Sequence, residues 1–484
     1  MKRRESSKER KERLAQKGIF LHDDHPKPVT RRDFLSTGLL GFSGTLMAPS
    51  LLPLLFPKTA MALDCGPGAA AGSGFMPFIT LNLSGGAALM MNYVPMDQGG
   101  NPLATYDNMG LGRTPTIERE FGNATFAGGG VSKILEGIRA SASVTTIGKT
   151  AFVGVCGRSG DDSDNNQLDA SGMVMKAGLL GKNLPNLGTE SGQSTGIGQS
   201  AAILAPPAPL VVQRFDDIAN SLGDGSNPKD PFARFSALQR RELFQAMADI
   251  IGMQVKGLSN TRPAEKALAQ QSACAAQGNL ALVTSDKGNT DPRKDTTVAG
   301  IWGLTPTSSA SSQSTVFSSL VYNSLLGNAG AVGLEMGGFD YHGNSRASTD
   351  AKDRTAGVVI GQILETAAAL GTKVFLYVTS DGSVRGAVSD APGAQWTSDR
   401  GEAGGAYMIS FDPAGRPATR SNQVNYFTSG QAAFDKGALK ADPARTATAV
   451  FANYLSLQGK MGLFQTVAPN VFTTAELDQV LRFG

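Results

Sequence analysis

Residues 331–381 read AVGLEMGGFDYHGNSRASTDAKDRTAGVVIGQILETAAALGTKVFLYVTSD, and this stretch decides the fold. Apolar runs over 331–336 and 373–378 predict two buried strands, and the amphipathic pattern over 353–370 predicts a helix between them. A further helix is predicted over 316–326. Strands that alternate with helices through short connections are typical of a parallel sheet covered by helices. We therefore predict an α/β fold with a mostly parallel central sheet and helices on both faces.

The rest of the chain adds elements of the same kinds. Short apolar runs predict strands over 78–83, 151–156 and 406–411. Helical periodicity predicts helices over 131–139, 232–257, 263–277 and 445–457. Residues 92–126, 183–209 and 285–312 are polar or rich in turn residues, which predicts connecting segments.

Acidic and imidazole side chains follow two of the predicted strands. Asp340 and His342 come after the strand over 331–336, and Asp381 comes after the strand over 373–378. Because the carboxyl ends of parallel strands face the ligand crevice, this placement predicts a site. Each residue also has an ordinary structural interpretation, since Asp340 caps turns readily, a lone His is usually a hydrogen-bonding group, and Asp381-Gly382 is a common turn dipeptide.

The first 62 residues have the organisation of an export signal. A charged segment precedes Arg31-Arg32, the mostly uncharged stretch 37–57 follows, and Ala60-Met61-Ala62 has the A-x-A pattern of a cleavage site. The paired arginines favour the twin-arginine route, and hence a periplasmic or extracellular location. A retained membrane anchor is the alternative, but Gly, Ser and Pro interrupt an apolar stretch shorter than the ~20 residues of a spanning helix. We thus predict a signal over 1–62, a tether over 63–77 and one domain over 78–484, with no stable membrane span after cleavage.

Cleavage after Ala62 changes the charge balance. It removes twelve of the 44 Lys and Arg residues but only six of the 41 Asp and Glu residues, so the mature chain is slightly acidic. That balance argues against a nucleic-acid partner. The expected partners are the twin-arginine translocase during export and other envelope proteins. His342 is the one histidine left of three, and Cys65, Cys156 and Cys274 remain with their pairing open.

Three motifs resemble those of the DUF1501 family of exported bacterial proteins, a branch related to the alkaline phosphatase and sulfatase superfamily. Leu83-Ser-Gly-Gly86 is similar to the family's Leu-x-Gly-Gly element, and Gly338-Phe-Asp-Tyr-His342 to its Gly-x-Asp-Thr-His element. Thr379-Ser-Asp-Gly-Ser-Val-Arg385 is similar to its Thr-Ser-Glu-Phe-Gly-Arg element. The resemblance covers most of residues 78–484 and implies an alkaline phosphatase-like core.

The chain departs from the family pattern where chemistry is expected. Ala87 and Ala88 stand where the family has an Asp, Asn166-Gln-Leu-Asp-Ala170 replaces Ser-His-Phe-Asp-Ala, and Asp399-Arg400-Gly401 replaces Asp-His-Gly. The resemblance then implies that Asp340, His342, Asp381 and Asp399 hold at most one divalent cation, such as Mg, Mn, Ca or Zn. Alternatively, Arg400 takes the place of a metal and pairs with Asp399 or Asp381, while Arg385 is a further candidate for an anion or ion-pair contact.

Two functions remain open at this point. One is an exported envelope protein whose degenerate core serves binding or assembly. The other is a metal-dependent hydrolase of phosphate or sulfate esters, in which a metal-bound water is the nucleophile. No catalytic residue beyond the candidate ligands is assigned.

Overall fold

The computed structural model of the chain describes residues 76–103, 116–159, 170–177, 179, 181, 184–189, 210–222, 235, 239, 242, 290–383, 404–428 and 432–484. The predicted export signal, most of the predicted tether and the predicted helices over 232–257 and 263–277 lie outside the described residues, apart from isolated positions. No helix among the described residues is both long and apolar enough to cross a membrane.

Ten strands are described, and eight of them form one sheet in the order β10-β4-β9-β8-β1-β7-β5-β6. The strands are β1 (Phe78–Leu83), β2 (Ile117–Glu118), β3 (Phe126–Ala127), β4 (Thr150–Gly157), β5 (Leu184–Gly188), β6 (Leu210–Val211), β7 (Ala329–Met336), β8 (Val374–Thr379), β9 (Gly404–Phe411) and β10 (Gln423–Val424). All neighbouring pairs in this sheet are parallel except those of β9, which runs antiparallel to both β4 and β8. The short β2 and β3 form a separate antiparallel pair.

Helices connect these strands. They are α1 (Leu89–Asn92), α2 (Lys133–Ser141), α3 (Val144–Gly148), α4 (Ser171–Lys176), α5 (Phe215–Leu222), α6 (Thr296–Ile301), α7 (Gln313–Leu325), α8 (Arg346–Ala369), α9 (Pro443–Leu457), α10 (Phe464–Val467) and α11 (Thr474–Val480). Two single 3-10 turns, Pro292–Lys294 and Met461–Leu463, precede α6 and α10.

The central strand β1 shows why the sheet is covered on both sides. All six of its residues are buried, and consecutive side chains of a strand point to opposite faces. Ile79, Leu81 and Leu83 belong to one hydrophobic cluster, together with residues of α2, α7 and α8. Phe78 belongs to a second cluster, together with residues of α4, α9 and α10. The mostly parallel sheet and its flanking helices are therefore as the sequence predicted.

Several predicted boundaries were wrong, and some elements were missed. Helix α8 begins at Arg346, seven residues before the predicted start, because its first two turns lack an apolar stripe. The segment over 183–209, predicted as a connection, contains β5, whose sequence LPNLG has no continuous apolar run. The polar stretch over 285–312 contains α6, which the side chain of Asp295 caps. Cys156 is a free, buried thiol in β4, and Cys65 and Cys274 lie outside the described residues.

Close packing of α2 against α8 depends on glycine. A Cβ atom on Gly357 would collide with the carbonyl oxygen of Ile134, and one on Gly137 would collide with the carbonyl oxygen of Arg354. The two backbones therefore approach each other more closely than any larger side chains would permit. Ser141, at the end of α2, donates a hydrogen bond of 2.9 Å to the carbonyl oxygen of Val358 in α8.

Replacement of Gly357 by Ala should lower the free energy of unfolding by about 1–3 kcal/mol, because the added methyl group forces the helices apart. Urea denaturation measures the change. Gly300→Ala in α6 is the matched control, since a Cβ atom there meets no other atom within 4 Å. We expect that control to be neutral or slightly stabilising, by up to about 1 kcal/mol. Equal effects of the two substitutions would contradict the close contact.

Candidate functional site

Three parallel strands end side by side at the carboxyl edge of the sheet. Strand β1 lies between β7 and β8, with Leu83 opposite Met336 and Asn82 opposite Thr379. The pairing continues past the strand ends, because the amide of Ser84 donates to the carbonyl oxygen of Met336 at 3.0 Å. The amide of Phe339 then donates to the carbonyl oxygen of Ser84, also at 3.0 Å. The segments that follow β1 and β7 are thus held together directly beyond the sheet.

Residues 84–87, which we call the Gly85 turn, carry the chain away from β1. Gly85 and Gly86 have φ angles of +116° and +115°, a conformation that side chains other than that of glycine rarely adopt. A Cβ atom on Gly85 would also lie 2.5 Å from the backbone nitrogen of Asp340. The absence of a side chain at Gly85 therefore lets the segment after β7 lie against the turn.

The segment after β8 fixes the same turn by hydrogen bonds. Oδ1 of Asp381 accepts from the amide of Gly85 at 2.7 Å and from the amide of Gly382 at 3.0 Å. The hydroxyl of Ser380 donates to the carbonyl oxygen of Leu83 at 2.6 Å and accepts from the amide of Ala87 at 2.9 Å. Asp381 is only 9% exposed, so these bonds satisfy polar groups that have little access to water. The side chains of Asp381 and Ser380 thus stabilise the Gly85 turn by hydrogen bonds.

Asp340 and His342 lie in an exposed loop. Oδ1 of Asp340 accepts from the amide of His342 at 3.2 Å, which is the local turn contact common for Asp. The amide of Asn344 donates to the carbonyl oxygen of Tyr341 at 2.9 Å and closes the turn, with Gly343 at a φ of +71°. The side-chain amide of Asn344 also donates to the carbonyl oxygens of Asp340 and His342. This loop therefore fixes its own shape, with the carboxylate of Asp340 as one of the acceptors.

Buried polar side chains attach this loop to α8 and α1. The hydroxyl of Tyr341 donates to Oδ1 of Asp353 at 2.6 Å, and the side-chain amide of Asn92 donates to Oδ2 of the same carboxylate at 2.8 Å. Oδ1 of Asn92 accepts from the amide of Ile134 at 3.1 Å, at the start of α2. The ammonium group of Lys352 donates to the carbonyl oxygen of Gly338. These contacts fix the position of the segment after β7 relative to α8 and α1.

The environment of Tyr341 keeps its hydroxyl protonated. Burial raises the pKa of Tyr341 well above its usual value, and the nearby carboxylate of Asp353 raises it further. A hydroxyl in this state is a constant hydrogen-bond donor to Asp353. The pair therefore acts as a structural contact and supplies no proton near neutral pH.

Sequence reasoning missed a row of polar residues on one face of the sheet. Glu335, Asn82 and Thr379 occupy paired positions on β7, β1 and β8, so their side chains share a face near the carboxyl edge. Asn82 and Thr379 are buried. A signal was present, because Thr80 and Asn82 alternate with Ile79, Leu81 and Leu83 inside an otherwise apolar strand.

The structure brings together part of the predicted site. Asp340 and Asp381 both lie against Gly85, one through its backbone and the other through its carboxylate. His342 is exposed and makes no side-chain hydrogen bond that places it with them. The other predicted residues lie outside the described residues; they are Arg31, Arg32, Ala62, Arg385, Asp399 and Arg400.

The described residues do not form a metal centre by themselves. Among them, no group of three or more His, Cys, Asp or Glu side chains is placed to hold a metal ion. Oδ1 of Asp381 and Oδ1 of Asp340 are each already hydrogen-bonded to backbone amides. A divalent cation would compete with these bonds at Oδ1 but not at Oδ2, for which no hydrogen bond to a described residue is seen, and it would need its remaining ligands from elsewhere in the chain. The four-residue ligand set stays a prediction, since Asp399 lies outside the described residues.

Comparisons with known proteins identify no family for this chain. No family model, no curated protein and no solved structure matches the chain. The resemblance to the DUF1501 family therefore stays a prediction based on the three motifs.

Proposed function

We propose that this chain is an exported envelope protein in which an alkaline phosphatase-like core serves binding or assembly. The twin-arginine pattern at Arg31-Arg32 and the cleavage pattern at Ala62 support export to the periplasm or beyond. The motifs at residues 83–86, 338–342 and 379–385 support the proposal of an alkaline phosphatase-like core. On this proposal, the translocase is a partner during export, and other envelope proteins are the partners afterwards.

One observation supports the loss of metal chemistry more than any other. Oδ1 of Asp381 accepts two backbone amides, from Gly85 and Gly382, where a hydrolase of this kind would offer a carboxylate to a cation. A carboxylate oxygen that accepts two N–H bonds is satisfied without a metal. Asp340 has a similar but weaker role in its own exposed turn. Both carboxylates thus act as structural acceptors, Asp381 at Gly85 and Asp340 within its own loop.

A structural role for Asp381 predicts a loss of stability that is independent of metal. Asp381→Ala should lower the free energy of unfolding by about 2 kcal/mol, because it leaves amides of the Gly85 turn without an acceptor. Urea denaturation of the folded domain in the presence of EDTA measures the change. Asp381→Asn keeps an acceptor oxygen and should retain most of the stability, and Asp340→Ala should cost less than about 1 kcal/mol.

A different outcome would support a cation at this place. If EDTA destabilises the unmodified protein, or if Asp381→Ala matters only when a divalent cation is present, Asp381 acts as a ligand. In that case the proposed structural role is wrong.

A metal-dependent hydrolase of phosphate or sulfate esters is the second candidate. It is favoured by the approach of Asp340 and Asp381 to the same glycine, which places two carboxylates at the carboxyl edge of β7 and β8. Such an enzyme would use a cation to activate water and to stabilise charge on the ester oxygen. It would also need ligands beyond the described residues, such as Asp399.

Metal content and turnover separate the two candidates. On the proposed binding or assembly role, the purified mature protein should contain no stoichiometric Mg, Mn, Ca or Zn. It should also hydrolyse 4-nitrophenyl phosphate and 4-nitrophenyl sulfate no faster than its Asp340→Ala variant. Elemental analysis measures the metal content, and absorbance assays with each added cation measure the turnover. One bound metal per chain together with turnover that Asp340→Ala abolishes would establish the hydrolase instead.

A further inference from the structure

A cavity of about 630 Å³ lies beside β10, at one end of the sheet. Its volume is within the range of roughly 300–1,000 Å³ that is usual for small-molecule sites. Strands β4 and β9 lie between β10 and β8, so this cavity is separate from the Gly85 turn. Residues of the 421–426 segment, of the 436–439 segment and of α11 line it.

Two positive side chains line the cavity. Arg482 is partly buried; its Nε donates to the carbonyl oxygen of Gln423 at 2.6 Å and its Nη1 to the carbonyl oxygen of Leu481 at 2.9 Å. These bonds fix the plane of the guanidinium and leave Nη2 with no hydrogen bond to a described residue. Lys436 is exposed at the same cavity. A third cation, Arg420, lies close enough to Arg482 to affect its ionisation.

The positive charge of Arg482 is not balanced locally. Burial lowers the pKa of Arg482, and the like charge of Arg420 lowers it further. A guanidinium nevertheless stays protonated in proteins, so the charge remains and is unfavourable there. Among the described residues, no ion pair joins Arg482 or Lys436 to a carboxylate. Asp97 also lines the cavity as an acidic side chain, with its Oδ1 accepting from the amide of Asn101 at 2.9 Å; it forms no ion pair with Arg482 or Lys436.

Part of the lining is aromatic. The rings of Tyr426 and Phe434 stack with their centroids 4.4 Å apart, and both residues line the cavity. A cavity lined by both cationic and aromatic side chains suits a ligand that has an anionic group on an apolar body.

We propose that this cavity binds a small organic anion, in which a carboxylate or phosphate group meets Arg482 and Lys436 and an apolar or aromatic body packs against Tyr426 and Phe434. The fixed guanidinium of Arg482 supplies directed donors for the anionic oxygens. Binding of the anion compensates the charge that burial disfavours. This site does not depend on whether a cation binds near the Gly85 turn, because none of its residues belongs to the predicted set of metal ligands.

Titration with 1-naphthoate, an aromatic carboxylate, tests the site, with the neutral 1-naphthalenemethanol as the matched probe. Isothermal calorimetry on the mature protein should give one saturable site for the anion and at least roughly tenfold weaker binding of the neutral probe. Arg482→Gln should weaken the binding of the anion by roughly tenfold or more, and Lys436→Gln by a smaller factor. Arg214→Gln removes an exposed arginine near β6, at the other end of the sheet, and should leave the affinity unchanged.

Thermal melting checks that each variant is folded. If Arg482→Gln does not fold, Lys436→Gln decides, because Lys436 is exposed and makes no hydrogen bond or ion pair with a described residue. The proposal is wrong if the anion shows no saturable binding, or if it binds no more tightly than the neutral probe. It is also wrong if folded Arg482→Gln and Lys436→Gln bind the anion as tightly as the unmodified protein does.

Discussion

The contact between the Gly85 turn and the segments that follow β7 and β8 is the constraint on which the candidate site depends. Gly85 lacks a side chain, so the backbone of Asp340 can lie against it, and its amide points at the carboxylate of Asp381. Ser380 adds two further hydrogen bonds to the same turn. Three strand ends are thereby joined into one unit at the carboxyl edge of the sheet.

This arrangement determines what the two carboxylates can do. Asp381 is nearly buried, and a buried carboxylate is stable only when hydrogen bonds or a positive charge compensate its desolvation. Two backbone amides supply part of that compensation here, through Oδ1. Hydrogen bonds among Tyr341, Asp353 and Asn92 fix the loop that contains Asp340. They keep this loop against the Gly85 turn. The same residues that would position metal ligands therefore also stabilise the domain.

The sequence predicted the centre of the fold because the central strands are buried on both faces. The runs over 151–156 and 373–378 are almost continuously apolar, as is usual for strands of a sheet that is covered on both faces. Strand β5 escaped prediction because its pairing with β7 uses backbone groups and its sequence, LPNLG, carries no such run. The direction of β9 could not be read either, since an apolar run is the same in both orientations. At the site, Asp340 and Asp381 follow the carboxyl ends of β7 and β8, which β1 separates in the sheet. Their roles as acceptors depend on contacts such as the one from Gly85 to Asp381, 296 residues away in sequence.

We propose that Asp340 and Asp381 serve the fold and do not hold a cation. Anomalous diffraction from crystals of the mature protein grown with Mn²⁺ tests it most directly, because manganese is located independently of any assumed ligand set. We expect no anomalous peak within bonding distance of either carboxylate and an intact hydrogen bond from the Gly85 amide to Asp381. A manganese peak coordinated by Asp340 or Asp381, with that hydrogen bond displaced, would contradict it.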